Sequence, residues 1–234
     1  MAHKKFTGFR SIVYRSGMIY NWVTQRLFDQ EKKFLTIATL IGNNSKKVLD
    51  LPCGTGFLIK YLHPTTQYTG YDLNHRFLKK IKRNWLRGRV QLKKLVLKQQ
   101  NIFDFDKYPK EKQDVIVLCD ILHHVYPKHI ELVENAKKHA KKIIVCEPIH
   151  SINNFEEMNS RDFLGKTTIY ITKFFPESVI KFLDFFLVDN DGINNFDNRA
   201  GWQHNEESLK ELYNSMGFNK TYNLMDDCIG IWEN

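Results

Sequence analysis

Residues 48–56 read VLDLPCGTG, and this stretch decides how the rest of the chain is interpreted. An apolar run ends at Asp50, and a turn with glycine at positions 54 and 56 follows at once. Glycine lets a ligand approach the backbone closely, and N–H groups at the start of a helix can bind the polar end of that ligand. The stretch therefore predicts a buried strand followed by a ligand-binding loop.

A second carboxylate stands at the distance expected of nucleoside-binding sheets. Asp72 ends the apolar run YTGYD, 22 residues after Asp50. In dinucleotide-binding sheets a carboxylate about 20 residues further on binds the ribose hydroxyls. Pro52 occupies the place of the usual first glycine and removes one N–H donor, which a pyrophosphate cradle needs. The two features together favour a nucleoside ligand that is not a dinucleotide.

The remainder of the chain divides into segments of different pattern. Residues 1–45 carry apolar residues at helical spacing, and residues 46–149 alternate short apolar runs with helical stretches. Such alternation predicts a parallel sheet with helices on both faces. Residues 150–204 interrupt the alternation with an irregular, aromatic-rich cap insertion. We therefore predict an N-terminal helical segment over 1–45 and one ligand-binding domain over 46–234 that contains this insertion.

Two asparagines and a turn locate the elements that flank these motifs. Asn74 is predicted to cap a helix over Arg76–Trp85, and Asn205 is predicted to cap a helix that Gly217 ends. The last residues are predicted to form two strands joined at Asp226-Asp227. Such a hairpin would add an antiparallel strand to an otherwise parallel sheet.

Several motifs resemble those of one enzyme family. DLPCGTG is similar to motif I of the class I S-adenosylmethionine-dependent methyltransferases, and YTGYDLN resembles the ribose-binding second strand of that family. QNIFDF, DVIVLCDILHHV and KKIIVCEP resemble the later segments in the same order. The resemblance implies a Rossmann-like three-layer α/β/α sandwich around a mostly parallel seven-stranded sheet with an antiparallel last strand. It also implies S-adenosyl-L-methionine as cofactor.

The resemblance also assigns residues to this cofactor. Asp50 and the backbone of the loop would hold the methionine end, Asp72 would accept the ribose hydroxyls, and Asn101 would face the adenine amino group. The full cofactor-binding set that it implies is Asp50, Pro52, Cys53, Gly54, Gly56, Asp72, Leu73, Asn101, Ile102, Cys119 and Asp120.

Candidates for catalysis follow the fourth and fifth predicted strands, because ligands bind at the carboxyl ends of parallel strands. His123, His124 and Glu147 stand there and are predicted as catalytic residues. Adjacent helical residues point about 100° apart, so at most one of the two histidines should face the site. By position, His123 resembles the acceptor-site residue of several family members, and His124 is interpreted as structural.

The acceptor is predicted to be a small molecule, aromatic or lipid-like, because the insertion is rich in aromatic residues that could line a pocket. Two alternatives stay open. One is an RNA methyltransferase that docks through a basic block over 76–98, and the other is a cofactor-binding regulatory protein without turnover.

The basic block contains most of the excess positive charge. From residue 73 to 103 there is no acidic residue, and the rest of the chain has a net charge of −1. The ten basic residues of this stretch are Arg76, Lys79, Lys80, Lys82, Arg83, Arg87, Arg89, Lys93, Lys94 and Lys98.

Composition and local motifs bear on the compartment, on membrane segments and on metal binding. The four cysteines form no C-x-x-C pair and are predicted to be free thiols in a reducing compartment, so we expect a cytoplasmic protein. No stretch is long and apolar enough for a transmembrane helix, although an amphipathic helix predicted over 176–188 could contact a membrane surface. Residues 189–194 resemble half of a calcium loop but lack its remaining ligands, so no metal is expected.

Overall fold

A computed structural model describes residues 16–27, 29–149 and 201–234, together with residues 11, 14, 179 and 198. Within these residues a seven-stranded sheet has the order β3-β2-β1-β4-β5-β7-β6. The strands are β1 Lys47–Asp50, β2 Gln67–Asp72, β3 Lys94–Gln99, β4 Gln113–Cys119, β5 Ala140–Pro148, β6 Lys220–Leu224 and β7 Asp227–Glu233. The predicted fold class is confirmed, because β1 to β5 run parallel and β7 pairs antiparallel with both β5 and β6.

Helices lie on both faces of this sheet. They are α1 Gly17–Leu27, α2 Gln30–Ile41, α3 His75–Leu86, α4 Leu122–Val125, α5 His129–His139 and α6 Glu206–Ser215, with 3-10 turns at Leu58–Tyr61 and Phe105–Lys107. The two predicted asparagine caps are confirmed. The Asn74 side chain accepts a hydrogen bond from the Arg76 N–H, and the Asn205 side chain accepts one from the Ser208 N–H. Each cap satisfies a backbone donor that has no partner within its own helix.

Alternate residues of the central strands build two cores, one on each face of the sheet. Leu49, Leu118 and Ile143 pack in the cluster that includes residues of α5 and α6. Their neighbours in the chain, such as Val48 and Ile144, pack in the other cluster with residues of α2 and α3. Because β1, β4 and β5 are buried on both sides, their sequences are continuous apolar runs, as the sequence pattern predicted.

The segments around this sheet bear out only part of the remaining predictions. The terminal hairpin turns at Met225-Asp226, where Met225 has a φ of 54°, one residue before the predicted turn. All four cysteines are free and buried. Trp22 and Leu35, two of the apolar residues at helical spacing in the N-terminal segment, are exposed. Apart from residue 179, the predicted helix over 176–188 lies outside the described residues, as does the loop over 189–194. The division into domains at residues 45 and 46 stays a prediction.

Candidate functional site

A cleft lies at the carboxyl ends of β1, β2 and β4, the edge at which parallel sheets of this kind bind ligands. Ten of the eleven cofactor residues predicted from the resemblance line it: Asp50, Pro52, Cys53, Gly54, Asp72, Leu73, Asn101, Ile102, Cys119 and Asp120. Gly56 does not line the cleft, and of the three predicted catalytic residues only His124 does so. The lining is largely apolar, with a few carboxylates and amides that could orient a ligand.

The loop after β1 is held in place by buried hydrogen bonds. The Tyr68 hydroxyl donates to Asp50 Oδ2 at 2.5 Å, and the Cys53 N–H donates to the Tyr71 carbonyl at 2.9 Å. Burial raises the pKa of Asp50 to about 7, although the Tyr68 hydroxyl partly offsets this by stabilising the carboxylate. Asp50 can therefore both accept and donate hydrogen bonds near neutral pH, at a position that the cleft reaches.

Gly56 keeps this loop close to α3 rather than contacting a ligand. It has a φ of 79°, and a Cβ added there would stand 2.8 Å from Ile81 Cγ1. We expect Gly56→Ala to destabilise the fold by about 2–4 kcal/mol, because left-handed backbone strain and overpacking would add. Thermal denaturation measures this loss. Gly88→Ala is the matched control, since Gly88 has a φ of 67° but no described atom within 4 Å of the added Cβ, and an equal loss there would contradict the packing argument.

Asp72 is fixed at the tip of β2 by two backbone donors. Its Oδ2 accepts from the Gly54 N–H at 2.9 Å, and its Oδ1 accepts from the Asn74 N–H at 2.6 Å. The carboxylate thus joins the loop after β1 to the start of α3. Each carboxylate oxygen has two lone pairs, so the group has the acceptor capacity that a ribose diol requires.

Beyond β3 the cleft is lined by a polar and an aromatic wall. Asn101 Oδ1 accepts a hydrogen bond from the Phe103 N–H at 3.0 Å, which fixes the orientation of this amide. Gln100 and Phe103 also line the cleft, although the sequence did not single them out. Gln100 directly precedes Asn101, so the segment QQNIF contributes more of the wall than the single residue that the resemblance indicated.

The N-terminal helices supply a wall that the sequence did not predict. Tyr14, Tyr20, Gln30 and Phe34 line the cleft, and the rings of Tyr20 and Phe77 lie 5.2 Å apart. This side is tied to the sheet by polar contacts. The Thr55 hydroxyl donates to Asn21 Oδ1 at 2.5 Å, the Asn74 side chain donates to the Tyr14 carbonyl at 2.9 Å, and Lys80 Nζ donates to the Gly17 carbonyl at 2.9 Å.

Lys33, Asp120 and Asp227 form an ion triad beside the cleft, and the sequence did not predict it. Lys33 Nζ lies 2.7 Å from Asp120 Oδ1 and 2.9 Å from Asp227 Oδ1. Burial alone would lower the pKa of Lys33, but the two carboxylates outweigh it and hold the pKa well above its usual value. The triad joins α2 to the end of β4 and to the start of β7. One signal was available, because Lys33 stands on the buried stripe of α2 with Gln30, Ile37 and Ile41.

The predicted catalytic residues after β4 and β5 form a compact group, but the two histidines take different places. Glu147 is fully buried, and its carboxylate accepts from the N–H groups of Ile121 at 2.7 Å, Leu122 at 2.8 Å and His123 at 3.3 Å. His123 Nδ1 lies 2.5 Å from Glu147 Oε2. In the tautomer of His123 that donates from Nδ1 to this oxygen, Nε2 is the basic nitrogen of the ring.

The His123 ring connects the cleft to a second aromatic group. Its centroid lies 4.3 Å from that of His124, which lines the cleft, with the two rings tilted by 37°, and 6.5 Å from the ring of Trp202. Burial lowers the pKa of His129 and of His204, whose rings flank Trp202 at 5.3 and 4.6 Å. These histidines are therefore neutral near pH 7, and the region around His123 is apolar and aromatic.

A metal site and a membrane-spanning helix are both absent from the described residues. No group of three or more histidine, cysteine, aspartate or glutamate side chains in that part of the chain is arranged to hold a metal ion. None of the helices there is both long and apolar enough to cross a membrane.

Comparison with known proteins identifies the domain that carries this cleft. Residues 49–142, less than half of the chain, match the family model described as "Methyltransferase domain". This part of the chain is similar to S-adenosylmethionine-dependent methyltransferase domains. The match includes the end of β1, Asp72, the wall after β3 and the histidine pair. Gly54, the Asp72 carboxylate and the nearby apolar lining fit this cofactor, which combines an adenosine with a methionine.

Solved structures share the fold at low sequence identity. An O-methyltransferase family protein from Burkholderia thailandensis aligns over 93% of this chain and 59% of its own, with a TM-score of 0.60 and 15% identity. Magnesium protoporphyrin IX methyltransferase from Synechocystis PCC 6803, with bound S-adenosylhomocysteine, aligns over 90% and 86%, with a TM-score of 0.58 and 13% identity. A complex described as DhpI-SAM-HEP aligns over 94% and 92%, with a TM-score of 0.58 and 15% identity. A search among curated proteins found no significant sequence match.

Proposed function

We propose that the protein transfers a methyl group from S-adenosylmethionine to a small acceptor molecule. The observation that carries this proposal is the cleft itself, in which Asp72, the loop after β1 and the segment after β3 converge within the methyltransferase domain. When bound, the cofactor supplies a methyl group already activated by its sulfonium. The protein then has to align the acceptor with that methyl group and exclude water.

The proposed roles of the cleft residues follow from their chemistry. Asp72 accepts hydrogen bonds from the ribose hydroxyls, and Asn101 accepts one from the adenine amino group while Ile102 and Leu73 pack against the base. Asp50, Asp120 and the backbone from Pro52 to Gly54 hold the methionine end, where the two carboxylates favour a cationic group.

His123 is proposed to accept the proton of a hydroxyl or amine acceptor. The nucleophile's lone pair forms the new bond to the methyl carbon, the bond from that carbon to sulfur breaks, and its electrons stay on sulfur. The proton that the nucleophile loses passes to His123 Nε2. Glu147 orients this ring through Nδ1 and stabilises the positive charge that the ring gains.

A small acceptor is supported by the surroundings of His123 and by the structural neighbours. The aromatic rings of Tyr126 and Trp202 lie near the histidines, as expected of a site for a planar or apolar molecule. Two structural neighbours are magnesium protoporphyrin IX methyltransferase and the pyocyanin biosynthetic protein PhzM, and the latter aligns over 92% of this chain with a TM-score of 0.55. The names of both proteins refer to small molecules, and this favours a small-molecule acceptor here.

The proposal is tested by release of S-adenosylhomocysteine from S-adenosylmethionine in the presence of pooled small-molecule acceptors. We expect release that depends on one pool and that can be traced to one compound by dividing the pool. If S-adenosylhomocysteine binds to the protein but no pool and no RNA supports turnover, the protein is a cofactor-binding regulator instead. If RNA alone supports turnover, the acceptor class is wrong.

The adjacent histidines provide a matched pair of variants. We expect His123→Ala to lower kcat by about 10²–10⁴-fold and to leave the affinity for S-adenosylhomocysteine nearly unchanged, as for loss of a general base. His124→Ala should instead weaken cofactor binding, because His124 lines the cleft. Calorimetric titration and initial rates separate the two effects. Equal losses of rate and affinity in His123→Ala would remove His123 from the reaction.

A further inference from the structure

The excess positive charge of this protein is concentrated in one segment of the chain. The ten basic residues between positions 73 and 103 lie on or near α3 and the edge strand β3, and nine of them are exposed while Lys80 is half-buried. These residues contribute a charge of +10 and the rest of the chain sums to −1, so the net charge of +9 comes from this segment. The cleft does not require it, because none of these ten residues lines the cleft.

An exposed apolar surface adjoins these cations. Helix α1 packs against α3, and Lys80 Nζ donates to the Gly17 carbonyl at the start of α1. From that point α1 presents three apolar side chains within about one turn, since Met18 is 72% exposed, Ile19 40% and Trp22 55%. Soluble proteins expose single apolar residues commonly, but a cluster beside a charged surface indicates an interaction site.

The cations nearest to α1 repel one another. Burial lowers the pKa of Lys80 to about 8, and the positive charges of Lys60 and Arg83 lower it further in the same direction. Both of these neighbours are exposed. An anion placed among these three groups would relieve their repulsion, so the electrostatics of this corner favour a negatively charged partner.

We propose that α1 and α3 form a docking surface for an anionic lipid bilayer. Met18, Ile19 and Trp22 enter the interface between headgroups and acyl chains, and the basic residues of α3 bind the lipid phosphates. This combination of an apolar stripe containing tryptophan with flanking lysine and arginine is what interfacial helices use. RNA would also satisfy the cations, but exposed methionine and isoleucine side chains offer a polynucleotide neither stacking nor hydrogen bonds.

The test is co-sedimentation of the full chain with vesicles of phosphatidylcholine alone and with vesicles that also contain phosphatidylglycerol. We expect at least about tenfold stronger partitioning onto the anionic vesicles, weakened by added salt. The double substitution Lys79→Glu and Arg83→Glu should abolish that preference. The double substitution Met18→Ser and Trp22→Ser should lower partitioning onto anionic vesicles by at least about tenfold while leaving the salt dependence in place.

The control reverses the same number of charges elsewhere. Lys110 and Lys112 are exposed and precede β4, at the opposite end of the sheet from the cleft, so Lys110→Glu with Lys112→Glu should leave vesicle binding unchanged. Equal partitioning of the native chain onto neutral and anionic vesicles would overturn the proposal, as would an equal loss in the control. Binding of a single-stranded RNA without vesicle binding would assign the surface to nucleic acid. Titration of each variant with S-adenosylhomocysteine confirms its fold and keeps this outcome separate from the methyl-transfer proposal.

Discussion

Lys33→Met is expected to lower the free energy of unfolding by about 3–5 kcal/mol, because it removes the shared cation from Asp227, which is buried, and from Asp120, which is partly exposed. Asp120 and Asp227 would then face each other's charge without the ammonium that lies 2.7 and 2.9 Å from them. Thermal denaturation should show a fall of roughly 6–20 °C for a chain of this size. Lys32→Met is the control, since Lys32 is the exposed neighbour on the same helix, and its denaturation temperature should stay close to that of the native protein.

The pH dependence of this loss identifies its cause. In the native protein, burial raises the pKa of Asp227 to about 6 even though Lys33 opposes that rise. Without Lys33 the folded-state pKa climbs higher, whereas the unfolded value stays near about 3.9. The folded variant therefore holds protons that the unfolded chain has released, and its stability falls as the pH rises through that window. We expect the deficit to be largest above about pH 7 and smaller at about pH 5; a deficit that does not change with pH would mean that packing, not charge, is responsible.

The same substitution is expected to weaken cofactor binding. Gln30 and Phe34 stand on either side of Lys33 in α2 and line the cleft, as does Asp120. Loss of the triad removes what holds this helix to the end of β4. The triple variant Lys33→Met, Asp120→Asn and Asp227→Asn leaves no unpaired charge and should recover most of the stability. If it recovers stability but not affinity, Lys33 and Asp120 also position the cofactor.

The sheet could be predicted from the sequence because its signals are local. VLDL, VIVLC and IIVC are continuous apolar runs, and such runs form strands that are buried on both faces. The asparagine caps were equally predictable, since a cap depends on residues within one turn. Ten residues of the cleft lining were predicted from the resemblance, because the order of its motifs fixes which loops meet at the carboxyl ends of the strands.

The remaining part of the site depends on contacts between residues that are distant in the chain. Lys33 meets Asp227 across 194 positions, and no local pattern predicts that pairing. Tyr20 and Phe34 were not predicted as site residues, because the direction in which α1 and α2 pack is a tertiary property. The histidine pair shows the same limit. Sequence position favoured His123 as the residue facing the site, whereas of the two histidines only His124 is in the cleft lining, and His123 is hydrogen-bonded to Glu147.

Asp72→Ala is expected to weaken S-adenosylhomocysteine binding by about 10²–10⁴-fold. Two hydrogen bonds from the ribose hydroxyls to a carboxylate would be lost, each contributing about 1.5–3 kcal/mol. Isothermal titration measures the change. Asp106→Ala is the matched control, because Asp106 is an exposed carboxylate outside the cleft lining, and its affinity should equal that of the native protein. An Asp72→Ala affinity within about threefold of native would show that the diol is bound elsewhere.

A structural role of Asp72 has to be separated from ribose binding, because its carboxylate also accepts from the Gly54 and Asn74 N–H groups. An analogue of S-adenosylhomocysteine that lacks the 2′-hydroxyl makes the distinction. The native protein should bind this analogue more weakly than the parent compound, whereas Asp72→Ala should bind the two alike, since the acceptor for that hydroxyl is gone. If both proteins lose the same factor on removal of the hydroxyl, Asp72 shapes the loop without contacting the ribose, and the diol acceptor must be sought among the other polar groups of the cleft.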